Sequence, residues 1–189
     1  MKLNKNTIGA LLFFVVLSVI YRVMPYRVDG FVPQLALGIF SGFLFSNNKK
    51  YAFAIPLISM LLSDIIYQVL YINNYSTIKG FYGWWQIAQY ASIVVCAAVG
   101  FYIKKANTLQ VGVASVAAPT VFFLLSNFFV WVEGMGFQHS YSFGGLIKCM
   151  TDGIPFYKAS VVSSLVFSSI LFGTYHLINM TSQNKQLAK

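Results

Sequence analysis

The apolar residues of this chain neither alternate with polar ones nor recur only every third or fourth position; they run on. Six stretches are almost continuously apolar: Ile8–Met24, Val32–Phe45, Tyr51–Tyr71, Gln86–Ile103, Val111–Trp131 and Lys158–Asn179. Between them stand turn formers: Pro25 and Gly30, Asn47 and Asn48, Asn73 and Asn74, Gly80 and Gly83, Asn107, then Gly134, Gly136, Gly144 and Gly145. Crossing about 30 Å of hydrocarbon takes about 20 helical residues at 1.5 Å each. The pattern therefore predicts an all-α, polytopic membrane bundle of six transmembrane helices forming one domain over 1–189. The second stretch is short and needs tilt, burial by its neighbours or a thinned bilayer. A lipid-exposed barrel would need sustained alternation, which is absent.

Composition sharpens this. The chain is 58% hydrophobic and 9% charged, against about 25% charged in an average soluble domain. A net charge of +9 suggests a nucleic-acid partner only when the bases form one stripe. Here they sit in pairs at the ends of apolar runs, as topology demands, so no nucleic acid is expected. One face holds eight lysines: Lys2, Lys5, Lys49, Lys50, Lys104, Lys105, Lys185 and Lys189. The other holds five bases, Arg22, Arg27, Lys79, Lys148 and Lys158, with the loop acids Asp29, Glu133 and Asp152. The positive-inside rule then places both termini in the cytoplasm, in a bacterial inner membrane. No small-x-small site follows Ile20, so the first span reads as uncleaved.

The outer connections are long and aromatic. Tyr82, Trp84 and Trp85 suit an interfacial belt. The longest connection, Val132 to Tyr157, predicts a short extra helix over Leu146–Asp152, stopped by Gly153 and Pro155 and able to serve as a lid or pocket floor. Gly38-x-x-x-Gly42, Ala114-x-x-x-Ala118 and Ser160-x-x-x-Ser164-x-x-x-Ser168 let helices approach closely, within the bundle by default or against a partner subunit. Pro56 and Pro119 sit inside spans, where they kink helices. Cys96 and Cys149 have no metal spacing, and a bond between them is not expected. His139 and His176 belong to opposite faces, too far apart to share a metal; each is expected at an interface or in packing. No cofactor is expected.

Asp64 is the sharpest single residue. An acid inside a span is costly and is ordinarily paired, protonated or facing water. Asp64, Tyr67, Gln68 and Tyr71 follow helical spacing on one face. The fourth span begins with Trp85, Gln86, Gln89 and Tyr90, and the fifth ends with Ser126, Asn127, Trp131 and Glu133. A ligand-binding pocket is therefore expected from Asp64, Tyr67, Gln68, Gln89, Asn127 and Trp131, with Arg22, Glu133 and Asp152 at its mouth. Asp64 would accept hydrogen bonds from a cationic or hydroxylated solute, or hold a coupling proton. The structural alternative for Asp64 is a buried ion pair or helix cap, with Arg22, Arg27 or Lys158 as partner.

Catalysis finds little support, and no catalytic residue is assigned. Ser41 and His176 share the inner half, but Gly38-Ile-Phe-Ser41-Gly42 is not the Gly-x-Ser-Gly of rhomboid proteases. A two-aspartate protease needs a second intramembrane Asp. No phosphate-binding glycine loop is present, so the chain is not itself an ATPase.

Several stretches carry a family likeness: Arg22-Val-Met-Pro25 with Gly30-Phe-Val-Pro33 and Ala36-Leu-Gly-Ile-Phe40-Ser-Gly42; Pro56 through Ser63-Asp64; Ser126-Asn127-Phe-Phe-Val-Trp131; and Gly145-Leu-Ile-Lys-Cys149 with Ile154-Pro155-Phe156. Through them the chain resembles small, uncharacterised six-span bacterial membrane proteins described as candidate transport proteins. In plan it is also similar to the substrate-binding components of energy-coupling-factor vitamin transporters. Those resemblances imply a substrate-capture subunit with an outward pocket, set in the lipid bilayer, with an unidentified small-molecule ligand and a transmembrane energising subunit as partners. A membrane scaffold or assembly factor is the alternative, and an intramembrane hydrolase a more remote one.

Overall fold

The computed structural model describes residues 5–134 and 139–187, with side chains as far as residue 181. The readings on Lys2, Gly136 and Lys189 lie outside the described residues, as does the side chain of Lys185. The described chain is six helices: α1 (Lys5–Val23), α2 (Pro33–Leu44), α3 (Lys49–Ile72), α4 (Trp85–Val99), α5 (Thr108–Glu133) and α6 (Phe143–Leu187), with a 3₁₀ turn, Gly100–Tyr102, prolonging α4. Five of them are long and apolar enough to cross a membrane. The chain is a helical membrane bundle, and the six stretches of the sequence are its six helices.

The faces are inverted relative to a water-soluble protein. Leu12, Phe13, Ile58, Val69, Ile87 and Ile170 point outward, while Ser18, Ser59, Ser63, Asp64, Ser92 and Ser163 are buried. Lipid solvates the apolar exterior as well as any core would. Interhelical hydrogen bonds and close van der Waals contact must then hold the bundle.

α2 is the axis. At 12 residues and about 1.5 Å per residue it spans only about 18 Å, too little to cross a bilayer alone. It packs against all five other helices, and every residue from Pro33 to Leu44 except Phe43 is buried. Of the three remedies for its shortness, the structure uses burial by neighbours. Pro33 starts it, where the missing N–H costs nothing. Gly38 and Gly42 lie against Ala97 and Gly100, so that small-residue motif closes the α2–α4 contact inside the chain. Ser41 Oγ donates to Ala52 O at 2.8 Å, binding α2 to α3. Ala114 and Ala118 are also internal, and Cys96 Sγ donates to Ala118 O at 3.2 Å between α4 and α5.

The separate helix expected at Leu146–Asp152 does not form. Those residues are early turns of α6, which runs unbroken through Gly153 and Pro155 for 45 residues. Proline removes one backbone bond, yet a helix among lipid-facing neighbours has no better place for its remaining polar groups, so it continues. Gly153 has a different use: a Cβ there would collide with the side chain of Asn127 on α5. α5 itself is capped at both ends. Asn107 Oδ1 accepts from Gln110 N at 2.9 Å, and Gly134 closes the C-terminus in the left-handed conformation at φ 65°.

Chain direction puts Val23, Ile72, Trp85, Glu133 and Phe143 at one end of the bundle, the aromatic end. Lys5, Lys49, Lys104, Lys105 and Thr108 mark the other, the lysine end.

Candidate functional site

Asp64 is 1% exposed and lies on α3 toward the aromatic end. Helical spacing sets Met60, Ser63, Asp64 and Tyr67 along one buried face of α3. α1 brings Arg22, in its last turn, to that face. Arg22 Nη1 donates to Asp64 Oδ1, to Ser63 Oγ and to the Met60 carbonyl. Tyr67 answers by donating its hydroxyl to the Arg22 carbonyl. The guanidinium also lies 5.8 Å from the Tyr67 ring centre, and that of Arg27 5.9 Å.

The second oxygen of Asp64 is taken by α4. Gln86 Nε2 donates to Oδ2 at 2.7 Å, and the Tyr90 hydroxyl donates to the same atom. Residues four apart share a helix face, which is why Gln86 and Tyr90 arrive together. Gln86 Nε2 is also 2.9 Å from the Gly80 carbonyl, so the connection between α3 and α4 folds back over the pair. Gly80 fits because it has no side chain: a Cβ would strike the backbone of Asp64 and Gln68. Gln68 Oε1 holds this connection by accepting from Phe81 N at 3.2 Å.

The acid is thus buried with both oxygens hydrogen-bonded, and its partner is the Arg22 of the structural alternative. The charge is tolerated because a cation, an amide and a phenol replace its hydration. Tyr82 lies over this region, outside the helices. Burial pushes its phenol above the usual 10.0, and the negative charges of Asp64 and Glu133 push the same way, with Arg22 opposing.

Five of the six residues expected to line one pocket fall into two groups. Asp64, Tyr67 and Gln68 belong to the network joining α1, α3 and α4. Asn127 and Trp131 hold α6 and the segment before it: Asn127 O accepts from Cys149 Sγ of α6 at 3.4 Å, and Trp131 Nε1 donates at 3.0 Å to the carbonyl of Ser140, which precedes α6. No hydrogen bond links the two groups among the described residues. Gln89 is half-buried and enters neither. At the expected mouth, Arg22 is in the network. Glu133 has one carboxylate oxygen buried without a hydrogen-bond partner. Asp152 is half-exposed, 3.6 Å from His139 Nε2. Ser41 spends its hydroxyl on Gly38 and Ala52 carbonyls, while His176 is exposed near the lysine end.

Two features escaped the candidate list. One is the pair Gln86 and Tyr90, signalled by i, i+4 spacing at the start of α4. The other is a set of buried polar atoms with no protein partner: Gln34 Oε1 on α2, and the hydroxyls of Ser163, Ser164 and Ser168 on α6. All four residues are fully buried. Gln34 is held at its other end by donating Nε2 to Ser18 O at 3.2 Å. Ser164 and Ser168 were legible only as part of a small-residue packing stripe, and Ser163 was not singled out.

The family model described as "Family of unknown function (DUF6580)" matches residues 2–187. No curated protein and no solved structure matches the chain.

Proposed function

The chain belongs to that family of unknown function, and from its site we propose that it is an integral membrane protein that captures a small polar solute at its aromatic end. The observation that carries the reading is the set of orphaned polar atoms in the middle of a membrane bundle, Gln34 Oε1 with the hydroxyls of Ser163, Ser164 and Ser168. Leaving a buried polar group unsatisfied costs about 1–3 kcal/mol. Four such groups on two packed helices favour a bundle that meets a polar guest over one built for stability alone.

The charges near this end indicate the guest's nature. Arg22 and Asp64 neutralise each other, so the interior offers no net charge to an ion. Gln34 Oε1 lacks a donor, and serine hydroxyls give or accept. A neutral or zwitterionic solute rich in hydroxyl or amide donors suits them. Asp64 has no oxygen to spare for it in this closed arrangement. Its role in our reading is a latch: it ties α1, α3 and α4 and the connection over them, and capture requires Gln86 and Gly80 to move aside. On this reading the aromatic end faces the periplasm and both termini the cytoplasm of a bacterial inner membrane, with the solute passed to an energising subunit.

The test begins with mass spectrometry of the small molecules that co-purify with the detergent-solubilised protein. Thermal unfolding is then followed with each identified solute and with a panel of polyols, amides and amino acids. The reading expects a stabilising solute whose effect is lost in Ser164→Val and Gln34→Leu. It is sunk if no solute is retained, none shifts unfolding, and a constant protein partner co-purifies instead.

A further inference from the structure

The lysine end holds a second feature, independent of the solute site. A cavity of about 920 Å³ lies between α5 and α6, large among small-molecule sites of about 300–1,000 Å³. Its walls are apolar along the helices, with Val111, Leu165, Phe172 and Phe43 among the lining residues. Its rim is basic: Lys104, Lys105 and His176 stand there beside Thr108, the first residue of α5. From Leu165 to His176 the groove follows α6 for about 16 Å at 1.5 Å per residue.

Three observations say that it is built for an occupant. Ser115 lines it, is 1% exposed, and its hydroxyl has no partner. Gly112 and Gly173 both line it, and a Cβ on either would meet nothing within 4 Å. Tight contact accounts for Gly42 and Gly100, but not for these two glycines. Charge is the third. All four acids of the chain, Asp29, Asp64, Glu133 and Asp152, belong to the aromatic half, so nothing acidic competes for these lysines. The lysine backbones are also fixed: Gln110 Oε1 accepts from Lys104 N at 3.1 Å and Lys105 N at 3.0 Å. The N-terminus of α5 adds its partial positive charge.

We propose that this groove seats one anionic glycerophospholipid. Its phosphate lies against Lys104, Lys105 and the start of α5, and one acyl chain lies between α5 and α6. The hydrophobic walls argue for a lipid over free phosphate, since a soluble anion leaves them uncovered. A groove between two membrane helices is open to lipid from the bilayer, and a basic rim at a membrane face selects the anionic kind.

The experiment uses the full chain in nanodiscs of phosphatidylcholine, with or without phosphatidylglycerol. Lipid retained after detergent extraction is counted by native mass spectrometry. Wild type should keep one phosphatidylglycerol in strong preference to phosphatidylcholine. Replacing both lysines (K104Q with K105Q) should reduce that preference about 30-fold, since each base near an anionic surface contributes about one factor of five. Gly173→Leu and Gly112→Leu add bulk to the groove from positions where a Cβ has open space. They should abolish retention while unfolding in pure phosphatidylcholine stays at or above wild type, because a helix prefers leucine to glycine.

Equal retention of the two lipids would overturn the proposal, as would unchanged retention in the filled variants. Stabilisation of the phosphatidylcholine sample by inorganic phosphate alone, to the same degree as by phosphatidylglycerol, would overturn it in favour of a soluble anion. A photocrosslink from Gly173→Cys that lands on a protein would overturn it in favour of a partner helix. If the solute reading at the aromatic end fails, these outcomes are unaffected.

Discussion

Arg22 and Asp64, 42 residues apart in sequence, form the buried ion pair that joins the first helix of the bundle to the third. Such a pair is seldom a net source of stability, but breaking it on one side strands a charge. Arg22→Met should therefore destabilise the protein by about 3–5 kcal/mol, read as a lowered unfolding temperature in detergent. Asp64→Asn can keep the hydrogen bonds from Gln86 and Tyr90 through its amide oxygen, but it strands Arg22 and should also destabilise. The double replacement Arg22→Met with Asp64→Leu should recover most of the loss. A double variant no better than Arg22→Met alone would show that the network's polar bonds, and not its charge balance, hold these helices.

Why Asp64 was conspicuous in the sequence while its partners were not is a matter of dimensions. Hydrophobic runs report depth, and they located all six helices, since each must satisfy its own backbone in lipid. They also set Arg22, Asp64, Gln86, Gln89 and Asn127 near one depth. They carry no record of lateral neighbours. Choosing Gln86 over Gln89, or parting Asp64 from Asn127, depends on how α4 and α5 are rotated about their axes. Likewise Gly153 and Pro155 read as a stop by rules drawn from water, where a broken helix can bond to solvent. In α6 that option is missing, and the glycine serves the contact with Asn127. The small-residue motif of α2 was legible because close approach leaves a compositional mark.

Gly30 needs its lack of a side chain twice over. It lies at φ 76°, and a Cβ would fall 2.5 Å from Phe156 Cα. Its carbonyl accepts the Ser160 hydroxyl at 2.5 Å, fastening the α1–α2 connection to α6. Gly30→Ala should cost roughly 2 kcal/mol or more from left-handed backbone and collision together. Ser160→Ala, which removes only the hydrogen bond, should cost about 1 kcal/mol. Unfolding midpoints in the reverse order would show that the hydroxyl, and not the close approach, governs this junction.

Gly42 and Gly100 pack face to face: a Cβ on the first would be 3.0 Å from the other's Cα, and one on the second 2.9 Å from its partner's. Gly100→Ala should destabilise by about 1–3 kcal/mol through overpacking. Gly9→Ala on the lipid-facing side of α1 meets nothing within 4 Å and should be neutral or slightly stabilising, because alanine is the better helix former. Thermal unfolding of the pair under one set of conditions separates contact from propensity. A loss at Gly100 with none at Gly9 is expected, and equal losses would discard the contact argument.

Tyr82 offers a spectroscopic view of the closed network. Its phenol is held above the usual 10.0, because burial and the charges on Asp64 and Glu133 all resist a further anion while Arg22 opposes them. A proton held more tightly by the folded than by the unfolded chain contributes stability that is fully present below about pH 10 and lost as pH climbs through the folded value. The chain has 12 tyrosines, so the measurement is the difference in tyrosinate absorbance between the protein and its Tyr82→Phe variant. Asp64→Asn removes a negative neighbour and should bring the Tyr82 transition down. Arg22→Met removes the opposing positive one and should send it further up. Opposite shifts in the two variants require both charges to act on Tyr82 across the same closed site. Shifts of the same sign, or none, would mean that the connection bearing Tyr82 does not rest over the Arg22–Asp64 pair in the working protein.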